Sequence, residues 1–196
     1  MRASIVAQAL WLLGSATTAH GQEFANCFPD AEPVAMAGSA GVVRRDSQEL
    51  RIELENGHTA DFTDVAEQDS RSVAYVYCGQ MPPPYPFHVV RYFPWEGGGY
   101  ILVSPSGLRV HVIGAPVLAP NGSRFFAVSI SEFYPDLLEI WSMDADGIHL
   151  ELSIQSDLWR LEAVQWEGES VITVAVAGRV THELRRIANG WQVLPR

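Results

Sequence analysis

The chain contains no lysine, and its 13 basic residues are all arginine. A Schiff-base lysine and the lysine of a phosphate-binding P-loop are therefore absent, which excludes the enzyme classes that depend on either. The 23 acidic residues leave a formal net charge of -10. Nucleic acid is not an expected partner, because phosphate binding requires a cationic surface. The charge suits a cationic partner, although most acidic surfaces only keep a protein soluble.

Several motifs that mark catalytic or metal sites are also missing. The six histidines form neither His-x-His nor His-Glu-x-x-His, and no Gly-x-Ser-x-Gly sequence supplies a serine nucleophile. We therefore predict no catalytic residue, no metal site and no cofactor. One alternative stays open, a pair of glycosidase carboxylates that face each other in a cleft. The candidates for such a pair are Glu96, Glu162, Glu167 and Glu169.

No apolar run in the chain reaches the length of about 20 residues that a membrane-spanning helix needs. The run from Ala3 to Ala16 follows Arg2 and precedes Ala19-His20-Gly21. A basic start, a short apolar run and small residues after it are typical of a signal peptide. We interpret residues 1–21 as a signal peptide cleaved after Gly21, with cleavage after Ala19 as the alternative. Residues 22–196 then form a single domain, periplasmic or secreted, without stable membrane insertion.

The chain has only two cysteines, Cys27 and Cys78, and both follow the predicted signal peptide. Export and an even number of cysteines favour a disulfide, and their spacing fits no common zinc motif. Two free buried thiols are the alternative. A disulfide here would stabilise the fold by about 4 kcal/mol in the chain-entropy model, and it would attach the N-terminal segment to a strand.

Short alternating segments separated by turns run through most of the sequence. Leu50 to Leu54 alternates apolar and polar residues, and Asn56-Gly57 follows it as a typical hairpin turn. Turns recur throughout the C-terminal half without an amphipathic helix between them. The sequence predicts an all-β domain, an antiparallel meander, with a helical turn only within Ala31 to Ala40.

The C-terminal half carries a weak repeat of four-stranded units at residues 115–157 and 158–196. Four short motifs carry the likeness: Ala119-Pro120-Asn121-Gly122, Phe126-Ala127-Val128, Leu138-Glu139-Ile140-Trp141 and Asp146-Gly147. This stretch resembles a blade of a WD40-type or TolB-type β-propeller. The resemblance implies a propeller-like domain and a binding habit, with no catalytic residue. About 15 predicted strands would make about four blade-like units, one of them short. A β-sandwich or an open meander is the alternative.

Two adjacent aromatic residues, Phe133 and Tyr134, lie in a predicted loop from Ser131 to Asp136. Pro135 cannot pair inside a sheet, and a connection of this length normally projects into solvent. Because two neighbouring rings cannot both turn back into the core from so short a loop, we expect at least one to be exposed. We therefore predict that Phe133 and Tyr134 bind a partner.

These observations favour a non-catalytic exported binding or interaction protein, whose partner is an unidentified protein or small ligand. One alternative is a periplasmic inhibitor of a cationic cell-wall hydrolase such as lysozyme, suggested by the acidic charge. The other is a hydrolase that uses the paired carboxylates named above. The sequence leaves the oligomeric state open.

Secretion of the full chain tests the signal-peptide prediction. We expect N-terminal sequencing of the exported protein to begin at Gln22, because Gly21 and Ala19 place small residues at the positions that the signal peptidase reads. A first residue of His20 would support the alternative cleavage. An exported protein that retains Met1 and the apolar run would contradict the prediction.

Overall fold

The computed structural model describes residues 22–39, 41–66, 71–94, 96–131, 134–156, 160–177 and 181–195. The predicted signal peptide lies outside these ranges. Across them the chain forms 15 strands and two short helices, α1 (Gln22–Ala25) and α2 (Glu32–Ala37). The all-β prediction is confirmed, and α2 lies where the sequence predicted a helical turn.

The strands form four consecutive antiparallel meanders, in which sequence neighbours pair with each other. The first sheet contains β1 (Val43–Asp46), β2 (Glu49–Glu53) and β3 (Thr59–Thr63). The second contains β4 (Val73–Gln80), β5 (His88–Pro94), β6 (Gly99–Val103) and β7 (Arg109–Val112). The third contains β8 (Val117–Leu118), β9 (Arg124–Ser129), β10 (Asp136–Asp144) and β11 (Gly147–Ser156). The fourth contains β12 (Leu161–Trp166), β13 (Val171–Val176), β14 (His182–Ile187) and β15 (Gly190–Pro195). These sheets are the predicted four units, of which the first is one strand short.

Three hydrophobic cores join the sheets in sequence order. The first core lies between the first and second sheets and includes Ile52 and Val90. The next lies between the second and third sheets and includes Leu102 and Phe125. The last lies between the third and fourth sheets and includes Ile172. The second and third sheets are therefore covered on both faces, an arrangement compatible with a propeller-like stack or with a sandwich.

The burial pattern of each strand follows from the number of covered faces. Successive side chains of a strand point to opposite faces of the sheet. In β2 and β3 buried and more exposed residues alternate, because the first sheet has one face in solvent. All five residues of β6 are buried, because its two faces contribute to different cores.

Side chains satisfy the backbone of β4, which is an edge strand of the second sheet. The backbone N–H of Tyr77 donates to Glu32 Oε1 at 2.7 Å, and that of Tyr75 donates to Asp64 Oδ1 at 2.8 Å. Arg45 bridges both carboxylates, at 2.9 Å from Glu32 Oε1 and 3.0 Å from Asp64 Oδ2, and it also donates to the Tyr75 carbonyl. An edge strand with satisfied groups offers no template for pairing with another chain.

A disulfide joins Cys27 to Cys78 and attaches the N-terminal segment to β4, as predicted. The hydroxyl of Tyr100 donates to the Phe24 carbonyl at 3.0 Å, and the ring of Phe24 is buried in the core between the second and third sheets. The segment is therefore part of that core. Disulfides are typical of oxidising compartments, which fits an extracellular or periplasmic protein.

None of the helices in the ranges given above is both long and apolar enough to cross a membrane.

A partly buried carboxylate connects the third and fourth sheets. Glu151 has no partner in the register of β10 and β11, where Ile140 pairs with Leu152 and Trp141 with Leu150. It accepts hydrogen bonds from Arg124 Nε at 3.1 Å, Arg186 Nη2 at 3.2 Å and Trp191 Nε1 at 2.8 Å. Burial alone would raise the pKa of Glu151, but the bonds from Arg186, Arg124 and Trp191 lower it to about 2. The carboxylate is therefore ionised at neutral pH, and it forms ion pairs with both arginines.

Tyr77 and His88 form a buried polar pair in the second sheet. The Tyr77 hydroxyl lies 3.0 Å from His88 Nδ1, and His88 is only 5% exposed. Burial raises the pKa of Tyr77 and lowers the pKa of His88, because the charged form of each is poorly solvated there. The pair is therefore neutral in the folded protein at neutral pH.

This pair predicts a pH-dependent loss of stability. Because the folded pKa of His88 lies below its unfolded value of about 6.5, the unfolded chain binds more protons as the pH falls through that value. The contribution of neutral His88 to the free energy of unfolding is present above about pH 6.5 and is lost below it. Urea unfolding measures the free energy of unfolding at about pH 7.5 and about pH 5.5. Between these two values it should fall further for the wild type than for His88→Asn. Asparagine keeps a polar group near Tyr77 without titrating, so equal losses would contradict the assignment.

Candidate functional site

A groove of about 840 Å³ opens between the second and third sheets. Four parts of the chain line it: α1 at Ala25, the second half of β5 with its connection to β6, the link from β7 to β8, and the end of β9 with the loop after it. Lining residues from these parts include Gly97, Gly99, Ile113, Ala115, Val128 and Ile130. Its volume falls within the range of about 300–1,000 Å³ that is typical of small-ligand sites.

Glycines allow the backbone segments at the groove to approach closely. A Cβ atom on Gly114 would lie 2.1 Å from the Val128 carbonyl oxygen, and one on Gly99 would lie 2.8 Å from the Val112 carbonyl oxygen. Both distances are far below van der Waals contact. Only glycine therefore permits the link before β8 to lie directly against β9.

Large apolar side chains are exposed around the groove. Ile130 and Tyr134 line it and are 63% and 72% exposed. Phe28 is 47% exposed and contacts Arg91, which also lines the groove. Exposed apolar residues grouped in this way are typical of interaction sites, whereas single ones are common on any surface.

Asp136 positions the loop that carries Tyr134. Its Oδ1 accepts from the Ser131 backbone N–H at 3.2 Å, and the Ser131 hydroxyl accepts from the Tyr134 N–H at 3.2 Å. Its Oδ2 accepts from the Leu161 N–H at 2.7 Å, at the start of β12. Asp136 is 6% exposed. The loop is therefore fixed to the fourth sheet while its tyrosine projects into solvent.

Arg91 supplies a positive charge to the groove. Its guanidinium carbon lies 4.3 Å from the centroid of the Phe93 ring, 4.8 Å from that of Phe28 and 5.6 Å from that of Tyr100. Its Nη1 donates to the Cys27 carbonyl at 2.9 Å. The tethered N-terminal segment and the second sheet thus hold the guanidinium between aromatic rings, where cation–π attraction stabilises it.

Two ionisable groups near this interface have shifted pKa values. Burial raises the pKa of Tyr100, partly offset by the charge of Arg91. Burial also raises the pKa of Glu139 on β10. Hydrogen bonds from Trp141 Nε1 and the backbone of Ile113 lower it and offset part of this rise. Both groups already have hydrogen-bond partners. Their shifts therefore report burial at the interface between the second and third sheets.

The carboxylates considered as a glycosidase pair are distributed over the molecule. Of the groove residues that the structure describes, Glu96 alone carries a carboxylate. Glu162 lies on β12, and Glu167 and Glu169 lie in the turn after it. Glu167 accepts a hydrogen bond from Thr173. The groove therefore holds one member of the set, and the other three lie on the fourth sheet.

The structure places the other predicted residues as follows. Tyr134 lies at the groove and is exposed, as expected for its loop, whereas Phe133 lies outside the described residues. Trp141, which belongs to the blade-like motif, stacks on Phe125 with centroids 6.1 Å apart. Within the described ranges no group of three or more histidine, cysteine, aspartate or glutamate side chains is placed to hold a metal ion.

Sequence reasoning missed Arg91 and Phe28. One signal for Arg91 was present, because it is the one charged residue in the apolar run Val89 to Phe93. Phe28 gave no such signal. It contributes because the disulfide at Cys27 brings it to the second sheet.

Comparison with protein families, with curated proteins and with solved structures gives no match for this chain.

The close approach at Gly114 is testable by a single substitution. Gly114→Ala should lower the free energy of unfolding by about 1–3 kcal/mol, because the added methyl overlaps the Val128 carbonyl and forces the backbone apart. Gly38→Ala is a matched control, since its Cβ would meet only ordinary contacts of 3.5 Å or more. Urea unfolding measures both. A Gly114→Ala protein as stable as Gly38→Ala would show that the link does not lie against β9.

Proposed function

We propose that the chain is a non-catalytic exported binding protein and that the groove between its second and third sheets is the binding site. The observation that carries this proposal is the exposure of Ile130 and Tyr134 at a groove of ligand size. Exposing such side chains to water is unfavourable, and a ligand or partner that covers them gains about 25 cal/mol for each Å² of apolar surface buried.

The resemblance to propeller blades suggests which loops would meet at the groove. The connections from β5 to β6 and from β9 to β10 are equivalent loops, each joining the second and third strands of its sheet. Loops at the ends of a rigid scaffold commonly carry binding residues. As part of the proposal, neighbouring blade-like units present these loops side by side to the ligand.

The two alternative functions have less support at this site. An inhibitor of a cationic hydrolase requires acidic side chains at its contact surface, yet the charged residues described in the groove are one arginine and one glutamate, Arg91 and Glu96. A glycosidase requires two facing carboxylates, and Glu96 has no second carboxylate among the described lining residues. The groove therefore favours binding.

Affinity capture from a periplasmic extract tests the proposal with two matched variants. Ile130→Ser/Tyr134→Ser removes the exposed apolar side chains at the groove. Val34→Ser/Leu150→Ser removes two exposed apolar side chains, 77% and 49% exposed, that do not line it. Both double variants should unfold within about 0.5 kcal/mol per substitution of the wild type, because the replaced side chains are largely solvated.

We expect the wild type and the Val34/Leu150 variant to retain the same ligand, identified by mass spectrometry of the eluate, and the Ile130/Tyr134 variant to lose it. Equal retention by both variants would show that binding occurs away from the groove. Failure of the wild type to retain any compound or protein would contradict the proposed function itself.

A further inference from the structure

Arg91 differs from the other partly buried arginines among the described residues. Arg45, Arg124 and Arg186 each contact a carboxylate within 3.3 Å. Arg91 is also partly buried, but no carboxylate of the described residues forms an ion pair with it. Among the described residues, Arg91 donates one hydrogen bond, to the neutral carbonyl of Cys27. The groove therefore contains a guanidinium whose charge is not neutralised by a described side chain.

Arg91 lines the groove, and among the described residues it donates one hydrogen bond, through Nη1. Stacking uses the faces of the planar group, and its N–H groups project from the edges, where they match the two oxygens of a carboxylate. Phe93 and Phe28 lie within 5 Å of the guanidinium carbon. A cation held in this way loses little side-chain entropy when a ligand binds, because its rotamer is already fixed.

We propose that Arg91 binds the carboxylate of a small organic monoanion whose apolar part fills the rest of the groove. This inference rests on the proposed function. Ile113, Val128 and Tyr134 line the groove beside Arg91 and supply an apolar surface for the body of the ligand.

The charge balance selects a monoanion. Arg91 is the one cation and Glu96 the one carboxylate among the described residues of the groove, and the chain as a whole carries a net charge of -10. A single guanidinium neutralises one carboxylate, whereas a phosphate dianion would retain a charge that the surrounding field repels. The predicted ligand class is therefore an aryl or alkyl carboxylic acid of a size that fits 840 Å³.

A matched pair of fluorescent probes tests this inference. Dansyl-L-phenylalanine carries a carboxylate, and dansyl-L-phenylalaninamide has the same apolar body without the charge. We expect fluorescence titration of the wild type to give one site per chain and an affinity for the acid about tenfold or more above that for the amide. Added salt should weaken binding of the acid and leave binding of the amide unchanged, because only the acid forms an ion pair.

Two arginine variants identify the residue responsible. Arg91→Met keeps the apolar stem and removes the charge, so the preference for the acid should fall to within about twofold. Arg109→Met is the matched control. The guanidinium of Arg109 also lies over an aromatic ring, 4.4 Å from the Phe62 centroid, and it also donates to a backbone carbonyl, that of Asp61. Arg109 does not line the groove. Its variant should keep the wild-type preference.

The possible failures are distinguishable. Equal affinity of the wild type for acid and amide would overturn the carboxylate assignment and leave the groove as a binding site. A preference that survives Arg91→Met would overturn the role of Arg91. Absence of binding by either probe would overturn the inferred ligand class, while the capture experiment decides the proposed function independently. If Arg91→Met does not fold by circular dichroism, the acid–amide ratio of the wild type and its salt dependence decide the inference.

Discussion

Burial of the second and third sheets on both faces is the constraint on which the rest of the structure depends. In the second sheet, Val89 and Leu102 face one core while Val90 and Ile101 face the other. A charge buried without a partner inside these covered faces would be costly, whereas Arg91 lines the groove. Polar groups that enter the interior are paired, as the Tyr77 hydroxyl is with His88.

The same constraint explains where a binding site can form. A stack of covered sheets leaves the ends of the sheets and their connecting loops available for function. At one such end the disulfide at Cys27 brings the N-terminal segment onto the second sheet, and Arg91 and Tyr100 bind its carbonyl groups. The segment supplies Phe28 to the aromatic rings around Arg91. In our proposal this tether prepares the groove for its ligand.

Much of the fold followed from local sequence patterns, whereas most of the site did not. The alternation in Leu50 to Leu54 and the turn at Asn56-Gly57 predicted paired strands, because both signals act within a few residues. The order in which the sheets pack was harder to predict from the sequence. Continuous apolar runs such as Tyr100 to Val103 are nevertheless a signal of strands covered on two faces. The groove depends on contacts between residues far apart in sequence, such as Phe28 with Arg91, which no local pattern encodes.

In our proposal Arg91 provides an unneutralised cation in a preformed groove, and NMR of its side chain can detect a ligand at this cation. The Nε–Hε signal of Arg91, assigned by its absence in Arg91→Met, is followed during titration with phenylacetate and, separately, with phenylacetamide. We expect a saturable shift with phenylacetate and little change with phenylacetamide, because only the carboxylate accepts hydrogen bonds from the guanidinium in an ion pair. A signal that does not move with phenylacetate, or that moves equally with both compounds, would contradict the proposal.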